Sequence, residues 1–361
     1  MTKPRYTIII TGNHHTPAIE LIHQLQQDPD FDWQIHYLSQ LNPNETHLQH
    51  TIIPKLNINF HPINSGKFHR RYLPETLRGI PLTFLALIKS ISLLSSLKPH
   101  LVISFGGYSS VPVIIAAWFL RLPSITHEQT PVPSLATKIN SYFVRRIALS
   151  FTPHPWFIHH FPQKIHQTGN LIRHQIFNPQ SLRFHHLEPS LKKYPLLYIT
   201  GGNQGAHRLN QLILSLLPKL TSHFTIIHQT GPIDRPWIQQ QLDSPIARYY
   251  PQDYIDIEDI GWVFHQTSLI ISRSGANICQ EIAAFKTPSV LVPLPFSQQN
   301  EQLLNAQWLQ QQNPDTIILN ESRLDAATLL KAIYQLNPHY SNRQVNPIIN
   351  YQLRQLIHQL L

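Results

Sequence analysis

Cysteine occurs once in this sequence, at Cys279, so no disulfide can close within the chain and no thiolate cluster can hold a metal. A reducing compartment suits such a protein. Charge is also scarce: Asp, Glu, Lys and Arg make up 13% of 361 residues, and no long Lys/Arg run occurs. The formal net charge is nevertheless +9 at pH 7, which asks for an anionic partner. Nucleic acid, an anionic membrane face and a phosphorylated small molecule all qualify. A nucleic-acid binder of this basicity more often gathers its charge into a stripe or arm, although composition alone does not choose. No secretory signal is expected, because Met1-Thr2-Lys3-Pro4-Arg5 runs straight into the short apolar stretch Ile8-Ile9-Ile10 without a cleavage motif. No stretch reads as the roughly 20 apolar residues of a spanning helix either. These absences predict a cytosolic protein. The remainder, 42% hydrophobic and 10% aromatic, suffices for two globular domains.

Short β-rich runs alternate with helical patterns, which implies βαβ units on a parallel sheet. Residues 7–10, 33–38, 101–104, 124–126 and 147–151 read as strands, with helices at 17–27, 82–97, 111–120 and 135–143. The pattern restarts after Gly169-Asn170, with strands at 196–200, 224–228, 269–272, 289–292 and 316–319 and helices at 208–217, 276–285 and 301–312. The expected fold class is α/β, with two Rossmann-like parallel-sheet domains, 1–167 and 168–345, facing each other across a cleft. A C-terminal helix within 346–361 is expected to pack back on the first domain, with Asn346 before Pro347 as its N-cap.

In open α/β sheets ligands bind beyond the carboxyl ends of the strands. Four loops there stand out: Thr11-Gly12-Asn13-His14-His15-Thr16-Pro17, Phe105-Gly106-Gly107-Tyr108-Ser109-Ser110, Gly201-Gly202-Asn203-Gln204-Gly205-Ala206 and Arg273-Ser274-Gly275-Ala276. Each sets glycine or small polar residues at a helix N-terminus, where uncovered N–H groups and the helix dipole favour an anion such as pyrophosphate. Glycines also simply make turns, but four such loops at equivalent positions favour the phosphate reading. None is a Walker motif. Other patterns are set aside. Asp28-Pro29-Asp30 reads as a turn, His154, His159 and His160 lack carboxylates at ligand spacing, and His127-Glu128 lacks the second histidine of a zinc protease.

Taken in order, these motifs resemble the bacterial peptidoglycan N-acetylglucosaminyltransferase (MurG) family, which has the GT-B fold. The 105–110 loop is similar to its glycine–tyrosine loop, and His127-Glu128-Gln129-Thr130 before Pro131-Val132-Pro133 to its His-Glu-Gln-Asn motif. Gly169-Asn170-Leu171-Ile172-Arg173 resembles its Gly-Asn-Pro-Val-Arg segment, and residues 201–206 its Gly-Gly-Ser-Gln-Gly-Ala loop. Residues 273–276 through Glu281-Ile282-Ala283-Ala284 resemble its donor-binding helix, and Gln302 through Asn305-Ala306 its glutamine motif. The likeness spans nearly the whole chain.

The resemblance implies UDP-N-acetylglucosamine as donor and an undecaprenyl-pyrophosphoryl muramyl-pentapeptide as acceptor. The implied reaction is an inverting displacement, without cofactor or metal, at the cytoplasmic face of the cell membrane. For the donor it implies Glu281 on the ribose hydroxyls, and Asn203, Gln204, Gly205 and Ala206 on the diphosphate, with Ser274 and Gly275 beside them. It further implies the Ile257 backbone on uracil, Glu301 and Gln302 on the sugar, and Arg173 offsetting charge on the leaving UDP. For the acceptor it implies Thr11, Gly12, Asn13, His14, Gly106, Gly107, Tyr108, His127, Glu128, Gln129 and Thr130. Roles stay open at three of these positions. His14 is either the general base or a pyrophosphate ligand, Glu128 either a reserve base or a loop brace, and Glu281 either a ribose ligand or a solvated helix carboxylate. Arg173 has the alternative of an interdomain ion pair.

Several positions depart from the family pattern. Ile9-Ile10 stand where two glycines are expected and Asn13 where a third lies. Thr130 replaces asparagine, Asn203 replaces serine, and Lys286 occupies a usual glycine position. The donor half therefore matches better than the acceptor half. Alternatives are a relative with another lipid acceptor or UDP-sugar, or an inactive GT-B scaffold. Finally, the apolar run 80–88 lies among Arg70, Arg71, Arg78 and Lys89, with Trp118, Phe119 and Arg121 closing a later helix. It reads as core packing with solvated basic ends or as a surface for an anionic bilayer, and the resemblance favours the bilayer.

Overall fold

The computed structural model describes residues 3–40, 53–66, 73–202, 204–242, 244–339, 345 and 350–361, without the side chains of 73–78 and 298. The chain divides into two units, Met1–Arg173 with Ile349–Leu361, and His174–Ile348.

The first unit is a seven-stranded sheet of β1 (Arg5–Thr11), β2 (Asp32–Ser39), β3 (Asn59–Pro62), β4 (Leu101–Ser104), β5 (Ser124–Glu128), β6 (Arg146–Leu149) and β7 (Ile165–Gln167). All neighbours pair in parallel, in the order β3-β2-β1-β4-β5-β6-β7. A parallel sheet is covered on both faces, so its central strands are apolar on both. Ile8 and Ile10 of β1 join one core with Leu21 and Ile22 of the helix His15–Gln26. Ile9 joins the other with Val113 and Ala117 of the helix Ser110–Phe119. Ile9 and Ile10 are thus core residues within a strand, and only Asn13 alters the loop after it.

The chain returns to this unit at its end. Leu353, Leu356 and Ile357 of the helix Gln352–His358 enter the same core as Leu21 and Ile22. Asn350 donates through Nδ2 to the carbonyls of Thr168 at 2.6 Å and Asn170 at 3.1 Å. At the helix's other end, His358 Nε2 lies 2.7 Å from Asp28 Oδ2, with its ring against Phe31 and Trp33. Asp28 Oδ1 accepts the Asp30 N–H at 3.0 Å, the geometry of an Asx turn. Asn346 and Pro347 lie outside the described residues.

The second unit is a six-stranded parallel sheet of β8 (Leu196–Thr200), β9 (Thr225–Gln229), β10 (Tyr249–Gln252), β11 (Thr267–Ser272), β12 (Ser289–Leu291) and β13 (Thr316–Ile318), in the order β10-β9-β8-β11-β12-β13. Sequence patterning misses β3, β7 and β10, and each of these lies at a sheet edge. An edge strand needs no apolar run, and Asn59-Phe60-His61-Pro62, Ile165-His166-Gln167 and Tyr249-Tyr250-Pro251-Gln252 have none.

One helix corrects two expectations. It runs from Leu73 to Leu97, through Pro81, instead of starting at residue 82. Its early turns are held where the Gly79 backbone meets Gly66 so closely that a Cβ on Gly66 would sit 2.1 Å from the Gly79 oxygen. Its part Gly79–Leu97, 19 residues of mean hydropathy 1.8, is also long and apolar enough to cross a membrane, contrary to the expectation from sequence. Three of its hydroxyls bond back to the helix's own backbone: Thr83 donates to the Gly79 carbonyl, Ser90 to that of Ala86 and Ser96 to that of Leu93. Ala86 and Leu94 face the core, while Phe84, Leu85 and Ile88 are 62%, 61% and 50% exposed. The helix is therefore a surface element with one face packed.

Lys286 explains another departure. It ends the helix Ala276–Phe285 in the left-handed region, at φ 50°, where glycine is ordinarily found. A side chain there costs about 1–2 kcal/mol, partly offset by the roughly 0.5–1 kcal/mol of entropy that glycine loses on folding. Lys286→Gly is expected to raise stability by about 0.5–1 kcal/mol, measured as a higher urea midpoint with an unchanged slope. A lower midpoint would refute the strain.

Candidate active site

In the first unit β5, β4 and β1 are neighbours, so the loops at their carboxyl ends meet. Gly12, at φ 126°, lies against the second loop: a Cβ there would fall 2.6 Å from the Gly106 oxygen. No other residue fits. Asn13 locks the two loops together. Its N–H donates to the Gly106 carbonyl at 3.0 Å, and its Oδ1 accepts from Ser109 Oγ at 2.7 Å. Its Nδ2 reaches the Gln40 carbonyl at 3.3 Å. The Asn13 side chain fills the space over Gly107, where an added Cβ would lie 2.4 Å from Oδ1.

His14 follows, its ring against Gly106 and its Nδ1 2.8 Å from Gln129 Nε2. Burial pushes its pKa below the usual histidine value; Glu128 opposes that shift and His15 adds to it. Glu128 is a brace. Oε1 accepts from the Thr130 N–H at 3.2 Å and Thr130 Oγ1 at 2.8 Å, and Oε2 from the Ser134 N–H at 3.0 Å. That fixes the turn before the helix Leu135–Phe143, whose N-cap is Ser134. Ser134 carries no motif and was missed from sequence. Thr130, in asparagine's place, serves this brace. His127 is buried, with Nε2 between Ser150 Oγ at 3.1 Å and the Gly169 carbonyl at 3.3 Å. Burial lowers its pKa to about 4, so it is neutral at pH 7. Thr11 is fully buried and Tyr108 half-buried. The structure thus gathers the predicted acceptor residues, with Thr11 and His127 behind the loops rather than on their surface.

In the second unit β8 and β11 are neighbours, which brings residues 201, 202 and 204–206 beside 273–276. The first of these loops leads into the helix His207–Thr221, with Ala206 as N-cap. Gly202 sits at φ 82° with open space where a Cβ would be, whereas a Cβ on Gly205 would lie 2.2 Å from the Thr230 oxygen. The Gly205 N–H, expected on a diphosphate, donates to the Gly202 carbonyl at 3.2 Å. Gln229 Nε2 holds that carbonyl too, at 3.1 Å, and Tyr198 OH donates to Gln229 Oε1 at 3.1 Å. Sequence reading missed Gln229, whose only signal is its place at the end of β9. Gln204 is exposed, and Asn203 lies outside the described residues.

The second loop is held from below. Arg273 pairs with Glu321 at 2.5 Å and donates to the Val292 carbonyl, so it braces and does not offer its charge to a ligand. Ser274 Oγ donates to the Gln302 carbonyl at 2.8 Å, and Asn305 Nδ2 to the Ser274 carbonyl at 3.0 Å. Gln302 Oε1 accepts the Leu294 N–H at 2.9 Å. Gly275 caps the helix Ala276–Phe285 with open space around it. On that helix Glu281 is 2% exposed, which removes the solvated-carboxylate reading. Glu301 opens the helix Glu301–Gln312, half-buried. Ile257, half-buried, lies in the turn after β10, and Arg173, half-buried, ends the first unit.

Two family models match the chain: the glycosyltransferase family 28 N-terminal domain over residues 7–149 and the family 28 C-terminal domain over 196–359. A UDP-N-acetylglucosamine--N-acetylmuramyl-(pentapeptide) pyrophosphoryl-undecaprenol N-acetylglucosamine transferase from Legionella pneumophila (strain Paris) is 31% identical over 327 residues, 90% of this chain and 85% of that one. The protein of that name from Borreliella burgdorferi is 32% identical over 325 residues, with the same shares. Among solved structures, Acinetobacter baumannii MurG matches with a TM-score of 0.65 at 22% identity, covering 98% of this chain and 99% of that one. That likeness bears on fold, and the fold is GT-B. Matched by both domain models and by relatives above 30% identity, the chain belongs to glycosyltransferase family 28 and, within it, to the MurG family of N-acetylglucosaminyltransferases.

Proposed function

We propose that this chain transfers N-acetylglucosamine from UDP-N-acetylglucosamine to an undecaprenyl-pyrophosphoryl muramyl-pentapeptide, at the cytoplasmic face of the membrane. The observation that carries this reading is the pair of glycine loops, one in each unit, at the ends of central strands and each leading to a helix N-terminus. Each is suited to one pyrophosphate, the donor's in the second unit and the acceptor's in the first. The acceptor hydroxyl attacks the anomeric carbon as the bond to UDP breaks with its electron pair. His14 takes the hydroxyl proton, Arg173 offsets charge on the departing diphosphate, and the new linkage is β. Incubation with UDP-N-acetylglucosamine and the polyprenyl acceptor tests this. UDP release coupled to a disaccharide product is expected; a folded protein that binds UDP yet transfers nothing would leave only the scaffold reading.

Asn13 favours one variation, the same donor with another polyprenyl acceptor, because its side chain fills the acceptor loop where the family has glycine. A panel of lipid-linked sugars separates the two.

Glu281 is proposed to hold the ribose hydroxyls. A charge-assisted hydrogen bond contributes roughly 1.5–3 kcal/mol, or about 10- to 150-fold in affinity. Glu281→Ala is expected to weaken UDP binding by that factor in calorimetry, with circular dichroism reporting an intact fold. Unchanged affinity would take Glu281 out of the donor site.

A further inference from the structure

Gln129 meets the His14 ring at one atom, its amide nitrogen 2.8 Å from Nδ1. The amide oxygen of Gln129 is buried and has no hydrogen-bond partner among the described residues. An amide carries a donor on one side and an acceptor on the other. A half-turn about its last torsion therefore exchanges the two at the same distance, and here it costs the oxygen no existing bond. The ring must answer in kind. When the NH2 faces it, Nδ1 accepts and the proton sits on Nε2. When the oxygen faces it, Nδ1 keeps the proton and Nε2 carries the lone pair. Only the second form can take a proton through Nε2, the nitrogen that lies beside Gly106. The titratable groups acting on the ring are Glu128, which favours its charged form, and His15, which opposes it; buried His127, whose own pKa His14 lowers, is neutral at pH 7. Glu128 cannot take over the contact, since both its oxygens are engaged in the 130–134 turn.

We propose that Gln129 is a positioning residue that sets the tautomer of His14: in the reacting state its carbonyl oxygen accepts the Nδ1 hydrogen and leaves Nε2 open to the acceptor's proton. The inference rests on the reading of His14 as base. It assigns an amide the task that a carboxylate performs in Ser-His-Asp triads, where loss of the orienting partner leaves the imidazole in the wrong tautomer.

The test compares Gln129→Met and Gln129→Glu with the unaltered protein and with His14→Ala. Turnover is followed across pH at saturating donor and acceptor, with UDP calorimetry and circular dichroism as controls. Methionine keeps the volume and removes the acceptor, and is expected to lower kcat about ten- to a hundredfold at unchanged UDP affinity. Glutamate can only accept, so it fixes the Nδ1–H form. It is expected to retain kcat at high pH, while its charge raises the imidazole pKa and moves the acid limb of the profile upward. The proposal is overturned if Gln129→Met keeps the unaltered rate and profile. It is equally overturned if Gln129→Glu is no faster than Gln129→Met at any pH. A fully active His14→Ala would remove the base reading itself, whereas an inactive His14→Ala beside an unimpaired Gln129→Met would remove only the role of Gln129.

Discussion

His14→Ala is expected to lower turnover by about two to four powers of ten at saturating acceptor, the usual contribution of general-base catalysis. Donor affinity is expected to stay as it is, because the proposed donor residues 204–206, 274–275 and 281 belong to the other unit. The protonation state supports the size of the effect. Burial lowers the His14 pKa below 6.5, so the ring is neutral at pH 7 and ready to accept a proton. The sign of the pH dependence follows: the base form of the free enzyme is lost as pH falls through that lowered value, so the acid limb of kcat/KM lies below pH 6.5. His14→Ala abolishes this limb with the rate. A variant with near-normal kcat but a much raised KM for the lipid acceptor would show instead that His14 binds pyrophosphate and that the base lies elsewhere.

The second large effect concerns the bilayer. Phe84, Leu85 and Ile88 project from the helix Leu73–Leu97, and Trp118 and Phe119, both exposed, end the helix packed beside it. So large an exposed apolar surface is unusual unless something covers it. Of the flanking cations, Lys89 is exposed, with Nζ 2.8 Å from the Pro62 carbonyl, and Arg121 is exposed too. Arg70, Arg71 and the Arg78 side chain lie outside the described residues. Each basic group near an anionic surface contributes about 1 kcal/mol, a contribution that salt screens within about 10 Å at 0.1 M while apolar insertion persists. Replacing Phe84, Leu85 and Ile88 with serine is expected to abolish co-sedimentation with anionic vesicles. The unaltered protein is expected to bind them with partial salt sensitivity, and neutral vesicles much more weakly. Since the three side chains point to solvent, the variant keeps its circular dichroism spectrum. If it still binds vesicles as before, this face does not dock.

The central strands and the glycine loops were legible because each is a local signal: a buried apolar run ending in a residue that needs positive φ, as Gly12, Gly106, Gly202 and Gly205 do. Supporting contacts were not. His14 and Gln129 are 115 residues apart and Gly202 and Gln229 are 27 apart, and no pattern in the chain announces either pair. The first loop misled for a related reason. Ile9 and Ile10 occupy motif positions, yet β1 runs on through Thr11 and buries both, so their departure from the family pattern is ordinary strand packing. Exposure of the 84–88 face was also out of reach, since an apolar helical run looks alike whether a core or a bilayer covers it.

The clasp formed by Asn350 and the core residues Leu353, Leu356 and Ile357 makes the first domain discontinuous in synthesis as well as in sequence. The ribosome delivers all of β1 to β7 before it delivers the helix that closes one side of their core. At about 5–20 residues per second the nascent sheet waits some ten seconds or more, with Leu21 and Ile22 short of their final partners. The second domain has no such debt and can finish first. The half of the enzyme made first is therefore the half completed last, and it is the one exposed to chaperones and proteases in the meantime.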